Sequence, residues 1–181
     1  ALKIVLGNHV EQKGSLVDNL KTRFDFSHTK SISNDEIHQI ESIVNNEILN
    51  NKSTSTKMMS IDKAKESGAL MLFGEKYDSE VRVLNIGNSI ELCGGTHVGN
   101  TGDIGLFKIY SETGVASGVR RIEGVTGINL LKFLNDQEEI LTRISKDLNT
   151  KTSEIPSKVS SILTQLKENE KIQSQLKSKL A

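Results

Sequence analysis

None of the 14 glycines in this 181-residue chain lies beyond Gly127, and that asymmetry divides the sequence into two kinds of polymer. Up to Gly127, glycine recurs between short β-branched runs, the punctuation of strands joined by turns. Beyond it the residues are mostly Leu, Ile, Lys, Glu, Gln and Ser with a single proline, Pro156, a composition suited to helix. The expectation is an α+β domain over residues 1–127, followed by a helical extension over 128–181.

Within the first part, strands are expected at 22–27, 81–86 and 104–110, where Val, Ile, Phe and Tyr recur along extended-looking runs. A helix is expected over 34–50, with Ile37, Ile40, Ile43, Val44 and Ile48 on one face, and another over 60–72. Ser33 stands three residues before Glu36, the spacing of a capping box. The opening Ala1-Leu2-Lys3-Ile4-Val5-Leu6-Gly7 reads as the last turns of an apolar helix closed by glycine, so the sequence begins inside an element.

In the extension, Leu130, Leu134, Gln137, Leu141, Ile144 and Leu148 alternate in steps of three and four, a heptad seam. Val159, Ile162, Leu166, Asn169, Gln173, Leu176 and Leu180 repeat it after a break at 149–156, and Pro156 suits an early position in the second helix. Three arrangements are open: a helical hairpin, pairing with another chain as a homodimer, or two amphipathic helices lying on the domain.

Lys and Arg total 23 and so do Asp and Glu, so a nucleic-acid partner has to be held by a local basic patch and not by a global field. One cysteine cannot form an internal disulfide, which fits a reducing compartment. No apolar run reaches membrane-span length and no signal-peptide pattern opens the chain, so the expectation is a soluble cytoplasmic protein with no membrane partner.

That one cysteine sits in Cys93-Gly94-Gly95-Thr96-His97, four positions from a histidine inside a glycine turn. Thiolate and imidazole are common zinc donors, and a zinc site needs three or four, so the pair is half a site. Metal ligation is preferred over a nucleophilic role, because no papain-like signature surrounds the cysteine. The alternative is a small buried thiol. Gly74-Glu75-Lys76-Tyr77 and Gly102-Asp103-Ile104-Gly105 lack Walker or Rossmann spacing and read as turns.

Five blocks, in order, resemble one family: His9-Val10-Glu11-Gln12-Lys13-Gly14-Ser15-Leu16-Val17, Arg23-Phe24-Asp25-Phe26-Ser27-His28, the block from Gly68-Ala69-Leu70 to Lys76-Tyr77, Glu91-Leu92-Cys93-Gly94-Gly95-Thr96-His97-Val98, and the block from Gly118-Val119-Arg120-Arg121 to Gly127. They are similar to the editing domain of bacterial-type alanyl-tRNA synthetases, across nearly all of residues 1–127. Residues 128–181 resemble the helical start of that enzyme's C-terminal region. The resemblance implies the α+β editing fold shared with threonyl-tRNA synthetases. It also implies hydrolysis of the ester in seryl- or glycyl-tRNA made by mistake on tRNA(Ala). The ATP-dependent ligation centre of such enzymes is not visible in this sequence. Family zinc is held by a His-x-x-x-His pair together with Cys-x-x-x-His; Cys93 and His97 match the second pair. None of His9, His28 or His38 has a histidine at four-residue spacing, so the first pair is missing here. The resemblance therefore implies a fragment with an incomplete zinc site.

Editing also has to select the acyl group. Alanine lies between glycine and serine in size, so size alone cannot reject it, and a site that hydrogen-bonds the serine hydroxyl is needed. Gln12, whose family counterpart lines the editing pocket, carries an amide able to donate and accept, and Thr96 is placed to aim a hydroxyl at the acyl group. Their plain readings are a strand-edge polar residue and a turn cap. For tRNA phosphates the candidates are Arg120, Arg121 and Lys13, with Lys108 and Arg23 in support. Adjacent strand residues face opposite sides, so one arginine is expected in an ion pair with Glu123 or Glu112. Besides the intact editing enzyme, two readings stay open: an inactive tRNA- or partner-binding module, and a free-standing trans-editing protein.

Overall fold

The computed structural model describes residues 1–71 and 77–180. Contacts divide the chain after Leu131 into two units. In the first, strands Gln12–Val17 (β1), Thr22–Ser27 (β2), Phe107–Ala116 (β6) and Val119–Thr126 (β7) form an antiparallel sheet in the order β1-β2-β7-β6. Strands Ser55–Ser60 (β3), Glu80–Ile86 (β4) and Ser89–Leu92 (β5) form a second antiparallel sheet in that order. Helices Leu2–Leu6 (α1), Asn34–Leu49 (α2) and Ile61–Glu66 (α3) complete an α+β fold.

The helix α2 begins where the sequence expects it, because Ser33 and Glu36 close a reciprocal capping box. Its Ile40 packs with Val10, Phe26, Ile32, Ile109 and Ile122 in the main core, where Phe26 is fully buried. A polar stripe on the same helix ties it to the sheet edge. The Asn45 amide donates to the Phe107 carbonyl at 2.9 Å and accepts from the Phe107 N–H at 2.7 Å. One turn earlier, the buried Glu41 carboxylate accepts from the Ile109 N–H and from Lys108 Nζ. Each bond satisfies a group that would otherwise be stranded between helix and strand. The second sheet has its own small core of Ala64, Ala69, Val81 and Val83, backed by Met59, Ile61, Ile90 and Leu92.

Two element boundaries depart from the sequence expectation. The helix expected over 60–72 is preceded by β3 and runs only from Ile61 to Glu66: Ser60 caps its start, and Gly68 follows its end at φ +75°. Leu72 lies outside the described residues, as does most of Gly74-Glu75-Lys76-Tyr77. The strand expected at 104–110 starts at Phe107, because Thr101–Ile104 coil into a 3₁₀ turn that Gly105 ends at φ +70°. A Cβ on Gly105 would stand 2.8 Å from the Gly127 Cα, so this crossing of two segments admits only glycine.

The second unit starts at Lys132 and contains most of helix Gly127–Asp147 (α4) and all of helix Ile155–Leu180 (α5), in which Pro156 is the second residue. Seam residues Leu134, Leu141, Ile144, Val159, Ile162, Leu166 and Leu176 are between 36% and 55% exposed, so this chain alone does not bury the seam. Among the described residues no helix is long and apolar enough to cross a membrane.

Candidate functional site

The Cys93–His97 turn hangs between two fixed points. Before it, β5 pairs with β4 in a regular register from Ile86↔Ser89 to Val83↔Leu92. After it, the Gly99 carbonyl accepts from the Thr54 N–H at 2.8 Å, and Thr101 exchanges bonds with the backbone of Lys52. Between these anchors Cys93 is half-buried, while Gly94, Gly95, Thr96 and His97 are exposed. The thiol and the imidazole share one space: a Cβ built on Gly95 would lie 3.7 Å from Cys93 Sγ and 3.9 Å from His97 Nε2. Among the described residues, a Cβ on Gly94 would meet nothing within 4 Å. Gly95 thus keeps a cleared position beside both donors, and a thiolate with an imidazole is a donor set that suits zinc. Among the described residues, no group of three or more His, Cys, Asp or Glu is placed to hold a metal, so the pair stands as two donors.

The turn is held from below by a residue the sequence reading passed over. Arg82 of β4 directs a single guanidinium nitrogen, Nη1, at two carbonyls of the turn, Cys93 O at 2.9 Å and Gly95 O at 2.6 Å. The Arg82 carbonyl accepts from the Cys93 N–H at 3.3 Å. In sequence, Arg82 is one polar position in an alternating strand, and nothing in that pattern reports the loop it reaches.

The other candidates occupy the four-stranded sheet. Gln12 opens the edge strand β1 and donates from Nε2 to Ser15 Oγ at 3.2 Å. Register slips between Gln12 and Gly14, so Lys13 sits in a bulge, where it pairs with Glu11 at 3.0 Å and stays largely in solvent. Arg120 and Arg121 lie opposite Phe26 and Asp25 on β2, and so leave the sheet by opposite faces. Both are engaged. Arg120 donates through Nε and Nη2 to Glu112 at 2.5 and 2.6 Å; Arg121 does the same to Asp25 at 2.7 and 2.8 Å. The hydrogen bonds from Arg121 hold the Asp25 carboxyl below the usual aspartate range, and both guanidiniums are raised in turn by their carboxylate partners. Arg23 also approaches Asp25, at 3.7 Å, and Lys108 pairs with Glu41 at 2.9 Å.

Two further features were not foreseen. His9 Nε2 and His28 Nδ1 are 2.8 Å apart with their rings stacked, so the two imidazoles bond to each other. A cavity of about 560 Å³ opens among Ile43, Val44, Ile48, Leu70, Ile90 and Phe107; none of Gln12, Cys93, Thr96 or His97 lines it. The cavity is therefore separate from the candidate site.

Comparison with known proteins finds relatives for this geometry. Residues 81–123, which include Arg82, Cys93, His97, Arg120 and Arg121, match the domain described as the threonyl and alanyl tRNA synthetase second additional domain. The whole chain is 55% identical to an alanine-tRNA ligase of Albidiferax ferrireducens and 56% identical to those of Aromatoleum aromaticum and Methylobacillus flagellatus. It covers 21% of each of them, so it spans about a fifth of the length of the curated relatives it matches. Over its full length, then, the chain is similar to one segment of alanine-tRNA ligases, and its residues 81–123 match the second additional domain of the threonyl and alanyl enzymes.

Proposed function

We propose that this chain carries an editing centre that hydrolyses the ester of tRNA(Ala) mischarged with serine or glycine, with Cys93 and His97 as two ligands of a zinc ion. The observation that carries the reading is the pair itself: thiol and imidazole meet beside Gly95, within the residues that match the synthetase domain. Bound there, zinc would supply Lewis-acid polarisation, a more acidic water or orientation of the substrate. Its remaining positions fall to water, to substrate, or to donors that an intact ligase supplies.

The chain's own residues divide the remaining work. Gln12 bonds the serine hydroxyl, which gives discrimination against alanine that size cannot give. Its placement at the start of an edge strand leaves the amide reachable, with Ser15 as its present partner. Thr96, exposed between the two metal ligands, orients the acyl group. Lys13 contacts tRNA phosphate from its bulge. Arg120 and Arg121 contribute through whatever donors their ion pairs leave open, because Nε and Nη2 of each already hold a carboxylate. Within a ligase this activity belongs in the cytoplasm, where the tRNA is charged.

The test is deacylation of Ser-tRNA(Ala), Gly-tRNA(Ala) and Ala-tRNA(Ala) by a full-length alanine-tRNA ligase carrying this segment, with and without zinc. Gln12→Met, which keeps the side chain's length but removes its hydrogen bonds, should slow clearance of serine by about tenfold or more and of glycine much less. Serine clearance at the parent rate would overturn the role of Gln12. In the chain by itself, tRNA binding without turnover would support a binding module in place of an enzyme.

A further inference from the structure

We infer that Arg82 is a positioning residue for the Cys93–His97 turn: its guanidinium fixes the two carbonyls that determine where thiol and imidazole point. The inference rests on the metal reading above, since it concerns how those donors are presented.

A turn containing Gly94-Gly95 is among the costliest segments to order, because glycine loses more backbone freedom on folding than any other residue. Among the described residues, nothing packs against the Cβ position of Gly94. The restraint comes instead from Arg82. The two hydrogens on Nη1 serve Cys93 O and Gly95 O, and the Arg82 carbonyl takes the Cys93 N–H. The turn is thereby pinned at residues 93 and 95, on either side of Gly94. Hydrogen bonds from a charged donor are shorter and stronger than neutral ones, and the planar guanidinium arrives pre-organised.

The position of Arg82 makes it a rigid post. Its neighbours Val81 and Val83 are buried in the small core, and β4 is paired on both sides, to β3 and to β5. A charge on the central strand of a sheet needs a partner. Among the described residues, the side-chain partners of Arg82 are the carbonyls of the turn. Partners of metal ligands that lie outside the coordination sphere typically change metal affinity by ten- to a hundredfold when removed, and this residue does the same work one step further back, through the backbone.

Cys93 is the chain's single cysteine, which makes two readouts site-specific without labelling. In metal-free protein, alkylation of the thiol by a maleimide reports how firmly the turn is held. Cobalt(II) titration, followed by the sulfur-to-cobalt absorption band, reports presentation of the donors. Arg82→Met should raise the alkylation rate and weaken cobalt binding, each by about tenfold. Arg82→Lys, which keeps the charge but lacks the planar fork, should change each by about threefold. The thermal midpoint of Arg82→Lys should stay within about 2 °C of the parent, a shift expected of a change below 0.5 kcal/mol. Parent-like alkylation and cobalt binding in either folded variant overturn the inference. If alkylation responds to Arg82 while no variant, parent included, deacylates Ser-tRNA(Ala), the positioning role stands and the editing function falls.

Discussion

The two sheets spend their arginines differently. In the four-stranded sheet, Arg120 and Arg121 are given to carboxylates on neighbouring strands, Glu112 on β6 and Asp25 on β2, so their charge latches strand to strand. In the three-stranded sheet, Arg82 is given to the carbonyls of a glycine turn, so its charge shapes a loop. The first arrangement braces strand against strand, and the second fixes the turn that holds Cys93 and His97. Basic residues on the two sheets of one domain thus fall into different roles according to whether a carboxylate or a loop carbonyl stands within reach.

The largest test of this contrast is on stability. Arg121→Met leaves the Asp25 carboxylate, with only 12% of its side chain exposed, facing Arg23 at 3.7 Å in place of a two-pronged partner. The urea midpoint should fall clearly, because the carboxylate keeps its place in the sheet after its two-pronged partner is removed. A loss below about 0.5 kcal/mol would remove the latch from the account.

A pH titration sharpens the same point. Arg121 lowers the Asp25 pKa in the folded state, so the unfolded chain takes up that proton at higher pH. The stabilisation is complete above the unfolded aspartate value of about 4, and is lost as pH falls from there through the folded value. Arg121→Met should therefore flatten the acid limb of the stability profile, whereas Arg82→Met should leave it unchanged. An identical acid limb in Arg121→Met and the parent would contradict the assignment.

Gly95→Ala addresses the other sheet. Its methyl would make ordinary van der Waals contacts of 3.7–3.9 Å with Cys93 Sγ and the His97 ring, so the fold should tolerate it. It would also fill the space beside both donors, and zinc binding should weaken by about tenfold, some 1.4 kcal/mol. Gly94→Ala, with nothing near among the described residues, should change zinc affinity less than threefold. Equal affinities in the two variants would show that the cleared position at Gly95 has no role.

The smallest effect is expected at Lys13, exposed and, among the described residues, paired with Glu11. Lys13→Ala should cost under about 0.5 kcal/mol of stability. If it touches phosphate, the salt dependence of tRNA binding should fall by about one unit of slope. An unchanged slope would remove Lys13 from the interface.

What the sequence disclosed follows from how local each signal is. The capping box at Ser33 and Glu36, the strand at Thr22–Ser27, the glycine that closes α1 and the Cys-x-x-x-His spacing are all written within a few residues, and all are found in the fold. The failures are long-range. The start of β6 depends on Gly105 crossing Gly127, a contact between residues 22 positions apart. The 60–72 pattern holds helical periodicity, yet pairing with β4 claims residues 55–60 as a strand, and Gly68 ends the helix early. The same limit applies to the site. Cys93 and His97 announce themselves by chemistry and spacing, but Arg82 shows its role only once β4 and β5 pair and bring it beneath the turn. Conversely, the sequence offers Glu112 as a partner for one of the two arginines, and Arg120 takes it, but it does not announce Asp25 as the partner of Arg121, because that pair is set by the register of β2 against β7.

The central claim is that the Cys93–His97 turn is a metal-assisted hydrolytic site. The most direct measurement pairs cobalt(II) spectroscopy with Ser-tRNA(Ala) deacylation, in a full-length alanine-tRNA ligase carrying this segment, for the parent and Cys93→Ala. The account predicts a sulfur-to-cobalt absorption band in the parent that disappears in Cys93→Ala, together with a loss of serine clearance of at least a hundredfold, about 2.7 kcal/mol. Undiminished clearance without the Cys93 thiol would contradict it.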